Sequence, residues 1–365
     1  MNAVVEVIDG GTAVAVQDCG RTGYRSLGVP VSGAIDPFLM AAANALLGNA
    51  PDAAVLEVGL AGPALKALSG VLRISLAGNL GGQVVTSRGQ ARKIQPWQTA
   101  TLLPGDTARI GANGGGVAYV GLSGGVDVPR QLGSRATYAR AALGGIGGRY
   151  LAAGDRLACQ ALSGDPWLES SGGSDWLEEE GALRVILGPQ DDHFTAAALQ
   201  DFLGRPWRVT RDMDRMGLRL EGHPLAHNQK GADIVSDGVV PGSIQVPANG
   251  QPIVLLADAQ TSGGYPKIAT VIRADLPRLA HLRPGEEIRF AAVDHAAARA
   301  ALLRRTQTLA LWVEGITTFR PPGVLDEGAL YGGNLVSGAV RGDEPALYWN
   351  NPQGDCLACN HQPQC

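Results

Sequence analysis

The chain has 365 residues, with 34 Asp and Glu against 30 Lys and Arg, and 51 glycines beside few aromatic residues. That length allows two domains, each with its own core, and an extension. A net charge of −4 with no Lys or Arg run excludes the basic stripe that nucleic acid requires, and no apolar run approaches the roughly 18 residues that span a bilayer.

Abundant glycine with few aromatics favours short strands joined by tight turns over a helical bundle. The opening MNAVVEVIDGG has neither the basic nor the long apolar region of a secretory signal. Five cysteines is an odd number, and Cys19 and Cys159 stand alone in strand-like surroundings, which argues against a disulfide framework. The expectation is a cytoplasmic protein that contacts neither membrane nor nucleic acid.

Residues 4–7 and 12–17 alternate as strands, and Asp9, Gly10 and Gly11 between them predict a hairpin. An extended, glycine-punctuated segment over 20–33 carries Arg21, Tyr24, Arg25 and Ser32. A helix follows: Asp36 is placed to cap it, Pro37 suits its first position, Leu39, Ala43, Leu46 and Leu47 share a face, and Gly48 ends it. Short strands are predicted over 56–60, 71–76, 83–86, 99–103 and 107–110, at barrel or sandwich spacing. Gly144 to Gly148 lack the Lys and Ser or Thr of a phosphate-binding loop and read as turns.

Pro104-Gly105-Asp106, Ala153-Gly154-Asp155 and Pro284-Gly285-Glu286 repeat one turn pattern, either a common turn or the trace of a duplicated barrel. Residues 163–181, rich in Ser, Gly, Pro and acid, mark a boundary. It separates a domain over 1–165 from one over 182–298, with 166–181 as linker. The second domain is expected to hold a strand over 183–187, a helix starting near Asp191 or Asp192, and strands over 207–210, 217–220, 242–246, 253–257 and 267–272. A short helix capped by Asp275 and a strand over 287–291 complete it. Residues 302–312 extend a helix; beyond them Pro321-Pro322-Gly323 and aperiodic sequence predict an extension, 299–365, that is partly disordered. Its Cys356, Cys359, His361 and Cys365 form a zinc-type ligand set, but the compressed spacing favours free thiols, so no metal site is assigned.

The densest polar stretch is QVPANGQPIVLLADAQTSGGYPKIATVIRAD, residues 245–275. Two strand-like runs flank a loop of Thr261, Ser262, Gly263, Gly264, Tyr265 and Pro266, with Asp258 leaving the first and Lys267 entering the second. Together with GYRSLGVPVSGAIDPFLMAAANALLGN (23–49), GGVDVPRQLGSRATY (124–138) and GPQDDHF (188–194), this stretch resembles the allophanate hydrolase subunit 2-like family over residues 3–295. That family includes the C subunit of ATP-dependent 5-oxoprolinase and the matching half of the urea amidolyase carboxyltransferase domain. The resemblance implies a mainly β (α+β) fold with two β-barrel-like domains, the second cyclophilin-like, and a few short helices.

The substrates the resemblance implies are planar amides, ureas or lactams, which need a cationic or N–H donor at the oxygen and an acceptor at the nitrogen. Lys267, Asp258 and Arg215 are the candidate catalytic groups; Gln251, Thr261, Tyr265, Ser32, Arg21 and Tyr24 are the candidate substrate-binding ones. Each has a structural alternative: an ion pair of Asp258 with Lys267 fixing the loop, a turn salt bridge at Arg215, or Tyr265 packing on Pro266. Three functions stay open. The first is the C subunit of 5-oxoprolinase, opening 5-oxo-L-proline to L-glutamate with A-like and B-like partner proteins and with ATP and Mg used by the complex, at a site on a partner or a subunit junction. The second is a biotin-dependent carboxyltransferase component acting on urea or a similar amide. The third is a non-enzymatic regulator binding a B-like sensor-kinase inhibitor.

Overall fold

Two sheets, each wrapped round its own apolar core, carry most of the chain. The structure, a computed structural model, describes residues 2–175 and 180–321; the expectations placed on residues 322–365, including the Cys/His set, lie outside the described residues. Met1–Phe319 forms one compact unit, and a second begins at Arg320.

The first sheet has eleven strands. Its main path runs Arg156–Gln160, Asn2–Asp9, Ala64–Ser69, Thr107–Asn113, Val55–Ala61, Ala118–Leu122, Leu72–Ala77, Thr99–Leu102. Thr12–Gln17 joins Val55–Ala61, and Leu80–Val85 lies between Thr107–Asn113 and Ala91–Ile94. Alternation places Ala3, Val5 and Val7 inside with no exposed surface, where they meet Leu56, Leu65, Leu72, Ile74, Leu76 and Val120. Full burial of each large aliphatic side chain contributes about 1.5–3 kcal/mol.

The second sheet has eight strands, ordered Glu287–Ile288, Trp207–Asp214, Gly217–Glu221, Ile253–Leu255, Ser243–Gln245, Lys267–Val271, Leu183–Leu187, Phe290–Ala292. Its two outermost members are separated in the chain by Arg289 alone. That single stretch therefore pairs at both ends of the order and closes the sheet into a barrel. Phe202 stacks on Phe290 with ring centroids 4.8 Å apart, and Trp207 Nε1 donates to Phe202 O at 3.0 Å. Mainly β architecture with two barrel-like sheets is as expected.

Among the described residues, four α-helices accompany the sheets. α1, Pro37–Leu47, is capped as predicted: Asp36 Oδ1 accepts from the N–H groups of Phe38 and Leu39, and Gly48 adopts the left-handed conformation at φ 67°. α2, Ala196–Gly204, starts later than expected, because Thr195 rather than Asp191 or Asp192 supplies the capping oxygen; Asp191–His193 forms a 3-10 turn. α3, Leu276–Leu279, follows Asp275, whose carboxylate turns instead to the Arg184 side chain and backbone.

Three other expectations are corrected. Residues 2–9 and 12–17 form no hairpin: the first strand pairs with Arg156–Gln160 and Ala64–Ser69, the second with Val55–Ala61. Both have apolar faces that need the core, so the turn at Gly10-Gly11 carries the chain from one part of the sheet to another. Second, the boundary segment contains a strand, Glu169–Ser171, paired with Thr317–Phe319, and the buried Glu169 carboxylate takes both ends of Arg92 at 2.8 and 3.0 Å. Third, the extension from residue 299 begins within a 20-residue helix, α4, His295–Glu314. α4 packs on α1 through Arg305 over the Phe38 ring, and Trp312 meets Trp97 edge-on at 5.8 Å.

The three repeated turns are one structural unit. The acid side chain accepts from the N–H three residues back in each: Asp106 from Leu103, Asp155 from Ala152, Glu286 from Arg283. Backbone pairs then clasp a single strand residue in each case, Ala67, Val7 and Val209 respectively. Glycine is required at φ near 90° in the middle of each turn.

Candidate functional site

The two barrels meet around Arg215, in the turn between Trp207–Asp214 and Gly217–Glu221. Its Nε donates to Asp258 Oδ2 at 2.8 Å, one terminal nitrogen reaches Asp258 Oδ1 at 3.1 Å and Gly33 O at 2.6 Å, and the other binds Glu57 of the first sheet. Glu57 accepts in addition from Tyr119 Oη at 2.8 Å and Ile35 N at 3.0 Å, and Tyr119 Oη accepts from Asp36 N at 3.1 Å. Burial alone would push the Arg215 guanidinium down, but Glu57 and Asp258 more than offset it and hold the charge firmly. Burial, then the Glu57 charge, raises the Tyr119 phenol well above its usual range. Arg215 and Asp258 thus pair with each other, as a saturated joint between barrels. The pair leaves no carboxylate oxygen of Asp258 free of Arg215.

Beside this joint lies a groove of about 630 Å³, lined by Arg211, Arg219, Gln245, Gln260 and Tyr265 of the second barrel and by Arg140 of the first. Arg140 reaches Asp214 at 3.5 Å across the junction. Arg211 and Arg219 are exposed and make no ion pair among the described residues. Gln245 is buried on a central strand, with its amide nitrogen 3.3 Å from Tyr265 O and its amide oxygen 3.4 Å from Gln260 Nε2. A Cβ on Gly263 would stand 2.5 Å from that amide nitrogen, so a larger residue there would displace the end of the Gln245 side chain. Asp212 and Asp214 also line the groove; the guanidinium groups of Arg211 and Arg219 beside the amides of Gln245 and Gln260 suit a planar amide or lactam bearing, or acquiring, negative charge.

A second cavity, about 680 Å³, is lined by Asp36, Trp97, Arg278, His281 and Arg305 among others. There His281 Nε2 lies 3.0 Å from Asp36 Oδ2, while Asp36 Oδ1 is occupied by the start of α1. Asp36 is divided between the α1 cap and His281, whereas the groove presents two guanidinium groups with no ion pair among the described residues, and the groove is taken as the candidate site.

A family model described as carboxyltransferase domain, subdomain A and B, matches residues 27–292. The chain belongs to that family. Similar curated proteins include the C subunit of 5-oxoprolinase from Escherichia coli K12, 35% identical over 294 residues covering 79% of this chain and 90% of that protein. The Haemophilus influenzae protein of the same name is 35% identical over 315 residues, covering 84% and 96%. The crystal structure of the Kluyveromyces lactis urea amidolyase superposes with a TM-score of 0.76 at 26% identity, covering 85% of this chain and 20% of that one. The sequence resemblance to this family is thereby upheld.

Within this carboxyltransferase-family fold, Lys267 does not pair with Asp258. Its Nζ binds Asp237 Oδ2 at 2.7 Å, and Gln190 Nε2 joins the same oxygen at 3.1 Å. Asp258 is claimed by Arg215, which explains the change of partner. Lys267 is nevertheless in register with Gln245 on the neighbouring strand, so it flanks the groove. Tyr265 lines the groove. Thr261 accepts a backbone hydrogen bond from Val239 N at 3.1 Å at the loop's base.

Gln251 lies elsewhere: its amide pairs with both backbone groups of Gly222, at 2.8 and 3.1 Å, in the manner of a strand neighbour. Arg21 is wholly buried, donating to Gln131 O and Ala136 O. Tyr24 precedes the short 3-10 helix Arg25–Leu27. Ser32 is among the residues of a separate, smaller cavity, with its hydroxyl buried. Gln245, Gln260, Arg211, Arg219 and Arg140 were not singled out from sequence. Gln245 begins the polar stretch that was, but nothing local marks a buried amide on a strand as facing a groove.

Proposed function

We propose that the chain is the C subunit of an ATP-dependent 5-oxoprolinase, opening 5-oxo-L-proline to L-glutamate with A-like and B-like partner proteins. The observation that carries this reading is the extent of the similarity: both curated 5-oxoprolinase C subunits are matched at 35% identity over 90% and 96% of their own length. An unstrained lactam resists hydrolysis, and ATP with Mg, bound on a partner or at a subunit junction, supplies the driving force by phosphorylating the carbonyl oxygen. In this reading Arg211 and Arg219 face the carboxylate or phosphoryl charge, and Gln245 and Tyr265 hold the amide. Lys267 supports the same region from the adjacent strand. Co-purification with the A-like and B-like proteins, followed by ATP-dependent glutamate release, tests the reading; the chain alone is expected to be inactive.

One observation favours a second reading, a component that moves carboxylate from carboxybiotin to an amide nitrogen of urea or a similar compound. The fold superposes on urea amidolyase with a TM-score of 0.76. In that case biotin enters on a partner protein, and the complex carboxylates urea but releases no glutamate from 5-oxoproline.

A further inference from the structure

The groove contains a side-chain amide whose direction the structure decides. Gln245 is 2% exposed, and its amide lies between Tyr265 O at 3.3 Å and the Gln260 side chain at 3.4 Å. A backbone carbonyl only accepts, so the Gln245 nitrogen faces Tyr265 and its oxygen faces Gln260. That oxygen also only accepts. Gln260 therefore gives it an N–H, and a buried neighbour rather than solvent sets the direction of the Gln260 amide.

Gln260 itself is exposed and lines the groove. Its Nε2 keeps a second N–H, and its Oε1 has no hydrogen-bond partner among the described residues. The backbone beneath it is anchored, because Asp258 is held by Arg215 and Ala259 is buried. A primary amide with one N–H and its oxygen free on the same edge pairs, by two hydrogen bonds, with a group that offers C=O and N–H on one edge. A lactam does so, since its ring holds the amide cis. An open-chain secondary amide is almost always trans and turns the two groups to opposite sides. Arg219 pairs in register with Ile253, and Ile253 with Gln245. The guanidinium thus starts two strands from the amide pair, roughly 10 Å between backbones, and its long side chain can reach a charge on the same small ligand.

We propose that Gln260 is the residue that makes the groove selective for an acidic cis-lactam. It gives the N–H anti to its oxygen to Gln245, and offers the other N–H and Oε1 to the carbonyl and N–H of the lactam, while Arg219 takes the carboxylate. Gln245 fixes the direction of Gln260. This assignment rests on the proposed function in taking the groove as the place where the amide binds.

The test uses the complex of this chain with its A-like and B-like partners, without ATP, and three small carboxylates. These are 5-oxoproline, 3-oxocyclopentanecarboxylate, in which CH2 replaces the ring N–H, and N-acetylglycine, whose amide is trans. Calorimetry should show 5-oxoproline binding about tenfold or more tightly than either of the others, because each leaves part of the Gln260 edge unpaired. Gln260 is exposed, so Gln260→Met should melt as wild type does, and it should shrink that preference to about threefold or less. Arg219→Met should weaken all three ligands alike, which reports occupancy of the groove without involving Gln260. If Arg219→Met weakens binding while Gln260→Met keeps the full preference for the lactam, the assignment of Gln260 is overturned and the groove stands. If 5-oxoproline does not bind, or neither variant changes its binding, the proposed function and this assignment fall together.

Discussion

Lys267 Nζ lies 2.7 Å from Asp237 Oδ2, with the lysine side chain 3% exposed and the aspartate 51% exposed. The pair is asymmetric, because the cation has given up its water and the carboxylate has not. Lys267→Met removes a buried charge, keeps most of the stem and leaves a solvated carboxylate. Asp237→Asn leaves the buried ammonium with a weaker partner. Thermal melts should therefore show the aspartate change costing more than the lysine change, by on the order of 1 kcal/mol after allowance for solvent screening. A larger loss in Lys267→Met would contradict the asymmetry.

The same pair predicts a pH dependence. The hydrogen bond from Lys267, followed by those from Gly238 N and Gln190, holds the Asp237 carboxyl below its ordinary value. A depressed carboxyl contributes stability that is fully present above the unfolded value of about 3.9 and is lost as pH falls through the folded value. The stability difference between wild type and Asp237→Asn should be flat from neutral pH to about pH 5, then vanish in stronger acid. Acid-unfolding curves of the two proteins measure it; a difference that persists at the lowest pH removes Asp237 from this role.

Arg215 is the joint between the barrels. Arg215→Met strands the Glu57 and Asp258 carboxylates in a buried setting, a change that typically costs about 3–5 kcal/mol. Arg215→Lys should recover only part of this, because an ammonium cannot reproduce the fork across Asp258, Glu57 and Gly33 O. Chemical denaturation of both variants tests the claim, and a near-wild-type midpoint for the lysine variant counts against it.

Gln251 marks the boundary between structure and function. Gln251→Ala deletes both hydrogen bonds to Gly222 and should cost about 1–3 kcal/mol. Turnover in the reconstituted complex should change less than threefold once the variant is folded. A large fall in kcat with little loss of stability would return Gln251 to the site.

The sequence is most informative where chemistry is local. The α1 cap needs only Asp36, Pro37 and Gly48 in order, and the repeated Gly-acid turns carry their own hydrogen-bond partners. Pairing across long separations is not local. The choice between a hairpin at Gly10-Gly11 and a crossover depends on strands at 64–69 and 156–160 that compete for residues 2–9. The partners of Lys267 and Asp258 are undecidable in the same way, since Asp237 and Arg215 reach them only after the barrel closes. α4 is polar on several faces and gives a weak pattern until Trp312 and Arg305 meet Trp97 and Phe38.

The central claim is that the groove between Arg140, Arg219, Gln245 and Tyr265 holds the reacting amide. The most direct measurement is kcat/KM for ATP-dependent glutamate release from 5-oxoproline by the complex of this chain with its A-like and B-like partners, compared for wild type, Arg219→Met and Gln245→Leu. Arg219 is exposed, so its variant should melt as wild type does. Each substitution should lower kcat/KM by about a hundredfold or more, the scale of losing one oriented donor at a reacting centre. Folded complexes of both variants that turn over within threefold of wild type would contradict the account.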